Sequence, residues 1–108
     1  MWTPITFSEL NELIEFAISK MSPDEIKLWK EVSINPEKWQ EVELGEEKGF
    51  WAVAITGNLV IWYNDIEEGF NISPYSNYGK IDEYNAEQDE LQMTIRKVKT
   101  STNVLTKT

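Results

Sequence analysis

The residues best equipped for chemistry in this 108-residue chain are carboxylates, because histidine and cysteine are both absent. Their absence removes the commonest general base, the commonest metal ligand, thiolate nucleophiles and disulfides. What remains is led by Asn64-Asp65-Ile66-Glu67-Glu68-Gly69. Asp65, Glu67 and Glu68 are near enough in sequence to offer a hard divalent cation several oxygens. Their spacing departs from the calcium loop of an EF-hand, where oxygens recur at alternate positions and a late Glu closes the ring. The plainer and preferred reading is an acidic, solvated connection between two strands.

A second acidic set comprises Asp82, Glu83, Glu87, Asp89 and Glu90. Paired with Asp65 or Glu67 across a cleft, two of these could serve as acid and base, as in glycoside hydrolysis, if one carboxyl had a raised pKa. Acids in the first turns of a helix account for Glu87, Asp89 and Glu90 without that step, since the helix dipole favours them there.

Aromatic residues are the third candidate. Tyr63, Phe70, Tyr75, Tyr78 and Tyr84 gather in one stretch, while Trp2, Trp29, Trp39, Trp51 and Trp62 are spread more widely. Exposed Trp and Tyr mark protein interfaces and sugar-binding platforms. A small domain also needs its aromatics for buried area, and Trp29, Trp51 and Trp62 are expected in the core. Tyr75 and Tyr78 lie on a turn-rich segment and are open to either role. The candidate interaction surface is Trp51, Trp62, Tyr63, Phe70, Tyr75 and Tyr78.

Charge narrows the partners. The net charge of −9 repels nucleic-acid phosphates and anionic membranes. The one basic cluster, Arg96, Lys97, Lys99 and Lys107, is better read as complementing the dipole of a last helix. Gly45, Gly49 and Gly57 make no phosphate-binding pattern, and no cofactor is implied. The N-terminus lacks a basic segment followed by an apolar one, and no run of apolar residues is long enough to span a membrane, so a cytoplasmic location is expected. The expected partner is a protein or a second copy of the chain.

The elements that must position these groups are legible in outline. Phe7, Leu10, Leu13, Ile14, Ala17, Ile18 and Met21 recur at helical spacing behind a capping box at Thr6 and Glu9. Ser22, Pro23 and Glu25 open a second helix, with Ile26, Trp29 and Val32 facing inward. Asn35-Pro36-Glu37-Lys38 reads as a cap for a single turn, 39–44 as a strand, and 45–49 as an acidic turn. Two strands, 50–55 and 59–63, flank a Gly57-Asn58 turn. A plain register then pairs Ile55 with Val60, Val53 with Trp62 and Trp51 with Asn64 on one face. It pairs Ala54 with Ile61, Ala52 with Tyr63 and Phe50 with Asp65 on the other. Both faces are apolar, so the hairpin is central and both its sides need covering.

A further strand follows a bend at Gly69, a short edge strand spans 80–84, and Asn85 caps a last helix. The fold class is α+β: two N-terminal helices, a central antiparallel meander sheet of about four or five strands, and one C-terminal helix packed on the sheet. A single domain is expected over 1–99, with a polar tail over 100–108. In element order the chain resembles small bacterial interaction and immunity domains, a resemblance from which no residue role follows. The preferred function is a non-catalytic interaction module, self-associating as a homodimer through a sheet face that the helices leave bare. An acidic inhibitor or immunity-type protein that binds a basic partner is a second reading, and a carboxylate-based metal-dependent enzyme a third.

Overall fold

A computed structural model describes residues 3–41 and 49–107, with side chains described as far as Thr100. The elements are α1 (Phe7–Ser19), α2 (Pro23–Val32), β1 (Ser33–Glu41), β2 (Phe50–Thr56), β3 (Leu59–Asn64), β4 (Gly69–Pro74), β5 (Lys80–Ile81) and α3 (Leu91–Lys107). This is the expected α+β order, with two helices, a central sheet and a last helix. Trp2, Val42, Glu43, Leu44 and the acidic turn as far as Lys48 lie outside the described residues.

Both N-terminal helices start where their capping boxes require. The Thr6 hydroxyl accepts from the Glu9 N–H at 3.1 Å, and the Glu9 carboxylate accepts from the Thr6 N–H at 3.0 Å. Ser22 and Glu25 repeat the arrangement, with Pro23 supplying a pre-set φ at the first helical position. Glu25 is buried, and the Arg96 guanidinium of α3 reaches it at 2.8 Å. The inward stripe of α1 is Leu10, Ile14 and Ala17, and Trp29 and Val32 of α2 join it over one face of the sheet.

The sheet runs β4-β3-β2-β1-β5. Its first four strands form an antiparallel meander, but β5 pairs parallel to β1, through Gln40 with Lys80 and Glu41 with Ile81, so the sheet is mixed. The Asn35-Pro36 segment is not a helical turn. It lies within β1, where the pairing with β2 is irregular between Ser33 and Glu37, as a residue without an N–H to donate requires.

The hairpin keeps the expected pairs Ile55–Val60 and Ala54–Ile61 next to its turn, then departs from the expected register. Val53 is an extra residue, a β-bulge, so Ala52 faces Trp62 and Trp51 faces Tyr63. The bulge re-sorts the faces. Trp51, Val53, Ala54, Ile61 and Tyr63 turn to the helices, and Phe50, Ala52, Ile55, Val60 and Trp62 turn away. The bulge gives the helix side two consecutive inward residues, Val53 and Ala54, which a regular strand cannot do.

The far face is covered by the chain itself. Residues 75–90 cross it as a strap, placing Tyr75, Ile81 and Tyr84 on Trp39, Phe50, Ala52, Val60 and Trp62. Asn85 therefore does not cap a helix. Its side-chain amide donates to the Ile72 carbonyl at 2.9 Å and to Ser73 Oγ at 3.0 Å. The Glu87 N–H donates to Asn71 Oδ1 at 2.8 Å, and the Phe70 N–H donates to the Asp89 carbonyl at 2.8 Å. The strap thus takes up polar groups along the outer edge of β4, and α3 begins only at Leu91. That helix extends to Lys107, through most of the segment expected as a polar tail. Among the described residues no helix is long and apolar enough to cross a membrane.

The strap passes so near Gly69 that a Cβ there would lie 2.2 Å from the Glu87 carbonyl oxygen and 2.3 Å from Gln88 Cα. Gly69→Ala is expected to lower unfolding stability by about 1–3 kcal/mol, the usual cost of overpacking against backbone. Urea titration of the purified variant measures it, and an unchanged midpoint would show that the strap is not seated this tightly.

Candidate functional site

The fold separates the aromatic candidates. Trp62 is fully buried, packs at 4.9 Å from the Phe50 ring, and donates its indole N–H to Ser73 Oγ at 2.9 Å. Tyr75 stands edge-on to Trp39 at 5.1 Å, with its hydroxyl donating to the Gly57 carbonyl at 3.0 Å. Trp62 belongs to the far core, and Tyr75, partly buried, packs against it. Trp51 is half-buried beside α1, 5.6 Å from Phe7, and donates to the Ile5 carbonyl at 3.1 Å.

Tyr78 is exposed and lies over Trp39 at 4.9 Å. Its hydroxyl donates to Glu37 Oε1, which also accepts from the Trp39 indole N–H at 3.0 Å. Donation by Tyr78 and then by Trp39 holds the Glu37 carboxyl below the usual carboxylate range, and the same carboxylate pushes the Tyr78 phenol up. The arrangement fastens the strap to β1.

The acidic run builds a turn. Asn64 Oδ1 accepts from the N–H groups of Ile66 and Glu67 at 3.1 and 3.2 Å, and Glu68 adopts a left-handed φ of 59°. Asp65 Oδ2 accepts from the Ile5 N–H at 2.8 Å, which ties the N-terminal segment to the end of β3. Among the described residues no group of three or more acidic side chains is arranged to hold a metal ion. The second acidic set is dispersed as well. Asp82 accepts from Ser76 Oγ at 2.8 Å, Asp89 pairs with Lys97 at 2.5 Å, and Glu90 pairs with Lys20 at 3.3 Å. Glu83 and Glu87 bond through backbone groups, the Glu83 carbonyl accepting from Ser73 Oγ at 2.7 Å. In the basic cluster, Arg96, Lys97 and Lys99 pair with Glu25, Asp89 and Asp24, and the Lys107 side chain lies outside the described residues.

Tyr63 and Phe70 do come together, with their rings 4.9 Å apart. They floor a groove of about 320 Å³ between α1 and the start of α3, with Leu13 and Phe16 on one wall and Asp89 to Leu91 on the other. Glu68 stands at its end and also borders an adjoining groove of about 290 Å³ that contains Glu9 and Asp65. Burial, and then the nearby carboxylates of Glu68, Asp65 and Glu9, raise the Tyr63 phenol above its usual range. The groove is apolar at its floor and negative at its rim.

Its two most exposed apolar members escape the sequence pattern. Leu13 was expected on the inward face of α1 but is 36% exposed, and Phe16, which is outside that stripe, is 53% exposed. Both sit on the flank of the helix, away from Leu10, Ile14 and Ala17. The available signal was Phe16 itself, a large aromatic on a flank that also carries Glu9 and Glu12. A scan of family models and searches of curated proteins and of solved structures return no significant match to this chain.

Glu37 generates a pH prediction. Its folded pKa is depressed, so the stabilisation it gives is complete above the unfolded carboxylate pKa of about 4.3 and is lost as pH falls through the lower folded value. Glu37→Gln is therefore expected to lose less stability than the parent chain between about pH 6 and pH 3. Chemical denaturation at several pH values checks this, and parallel acid limbs would count against the Glu37 clamp.

Proposed function

We propose that this protein is a non-catalytic protein-interaction module that takes its partner on the exposed flank of α1, over the groove floored by Tyr63 and Phe70. The observation that carries this reading is the exposure of Leu13 and Phe16 above an apolar groove. Fully burying an exposed Phe or Leu side chain contributes about 1.5–3 kcal/mol, and with Phe16 at 53% and Leu13 at 36% exposure roughly half and a third of that is left for a partner to gain. The groove volume is at the low end of ligand pockets, about 300–1,000 Å³, which suits one or two anchoring side chains.

The reading differs from self-association through a bare sheet face, because the strap supplies that face with its cover. It also favours binding over carboxylate chemistry, since Asp65 and Asn64 are committed to backbone contacts that build the β3–β4 connection. An inhibitor- or immunity-type role is one form such a module can take.

The test is selection of displayed random peptides on the folded protein, followed by comparison with Phe16→Glu. The variant is expected to keep the circular-dichroism spectrum and melting temperature of the parent. Enriched peptides should bind it at least about tenfold more weakly, a loss of about 1.4 kcal/mol or more. Peptides that bind both proteins equally would sink the proposal.

A further inference from the structure

We infer that the occupant of this groove is a basic segment of a partner protein, an apolar anchor flanked by arginine or lysine, whose cation takes the place that Lys20 now holds between Phe16 and Glu90. The inference rests on the docking role of α1 and adds the chemistry of what docks.

Charge complementarity is the first argument. Glu68 and Glu90 line the groove, together with Asp89, whose charge Lys97 already partners, and Glu9 borders its neighbour. On α1, Glu12 and Glu9 precede Phe16 and Leu13 by four residues each, which puts them on the same strip of helix surface. An apolar floor inside a carboxylate rim matches an apolar side chain between cations. The whole chain, at −9, adds a long-range field of the same sign that would steer a basic partner inward.

Lys20 is the second argument. Its ammonium lies 4.3 Å from the centroid of the Phe16 ring and 3.3 and 3.4 Å from the two Glu90 carboxylate oxygens. An aromatic face and a carboxylate thus converge on one cation position at the mouth of the groove. The lysine that fills it is a weak occupant, since both partners in the ion pair are more than 40% exposed and exposed ion pairs and cation–π contacts contribute little. An incoming guanidinium could stack on Phe16 and bridge both Glu90 oxygens, which a single ammonium does less well.

A second copy of this chain is a poor occupant. Two bodies of charge −9 repel, and Arg96, Lys97 and Lys99, the cations of α3 whose side chains are described, pair with Glu25, Asp89 and Asp24. Nucleic acid and anionic membrane carry the wrong sign for the rim.

The test uses two fluorescent peptides with one apolar core, Leu-Phe-Leu, flanked on each side by two arginines or by two serines. Polarisation titrations are run against the parent protein, Phe16→Ser, Lys20→Gln and, as a control of equal charge change on an exposed site, Lys30→Gln. The arginine peptide is expected to bind at least about tenfold more tightly than the serine peptide and to lose about tenfold with Phe16→Ser. Lys20→Gln should tighten it by about threefold or more while Lys30→Gln leaves it within about twofold, because only Lys20 competes for the cation position.

Equal binding of both peptides, abolished by Phe16→Ser, would overturn the basic occupant and leave the docking groove standing. Binding that ignores Phe16→Ser would overturn both. Equal tightening by Lys20→Gln and Lys30→Gln would reduce the effect to net charge and overturn the cation position. Failure of the arginine peptide to bind at millimolar concentration would also overturn the inference, while the selected peptides of the docking test would still decide the groove itself.

Discussion

A sheet with two apolar faces must be covered twice, and the helices among the described residues cover only one side. The second cover is an irregular segment, and irregular backbone can lie on a core only if its polar groups find partners. Three buried side chains meet that demand. Asn64 donates to the Tyr84 hydroxyl and the Asn85 carbonyl at 2.9 and 3.0 Å. Asn71 bonds both the N–H and the carbonyl of Glu87, at 2.8 and 3.2 Å. Ser73 donates to the Glu83 carbonyl at 2.7 Å. All three are within 1% of complete burial. Tyr75 and Tyr84 then settle on Trp39, Phe50 and Trp62, and the far face is closed.

This dependence explains which parts of the fold were legible in the sequence. The capping boxes at Thr6 and Ser22 and the Gly57-Asn58 turn are decided by neighbours a few residues apart, and each appears where its pattern stands. The bulge at Val53 is decided by what the two faces must pack against, so no local signal announces it. Asn85 followed by acidic residues carries the signature of a helix start. The same short amide can instead bond an exposed strand edge, and the unpaired side of β4 won that competition. The parallel pairing of β5 with β1 likewise follows from the path of the strap and not from any feature of Lys80 or Ile81.

The site was legible only in pieces. Residue type points to Tyr63, Phe70 and Glu68, and these do meet in one groove, but as floor and end. Trp62 shares their chemistry but lies in the core, and Tyr75 packs partly buried against it, because the bulge and the strap give them apolar neighbours. Leu13 and Phe16 were missed because helical periodicity assigns a residue to an inward stripe or to water, and these two stand at the margin between them. The wall opposite them, at Asp89 to Leu91, exists only because the strap has returned to the β4 edge before α3 begins.

The strap also fixes an order of events during synthesis. Its buried side-chain anchors come from β3 and β4, and its edge pairs with β1, so it has nowhere to seat until the meander has paired. The ribosome, however, releases residues 50–74 before residues 75–90. In that interval Phe50, Val60 and Trp62 form a wet apolar sheet face on a half-made chain, the kind of surface that neighbouring nascent chains adhere to and that chaperones shield. Closure waits on polar clips that form late, and the vulnerable period of this protein's life precedes the arrival of its sixteen-residue strap.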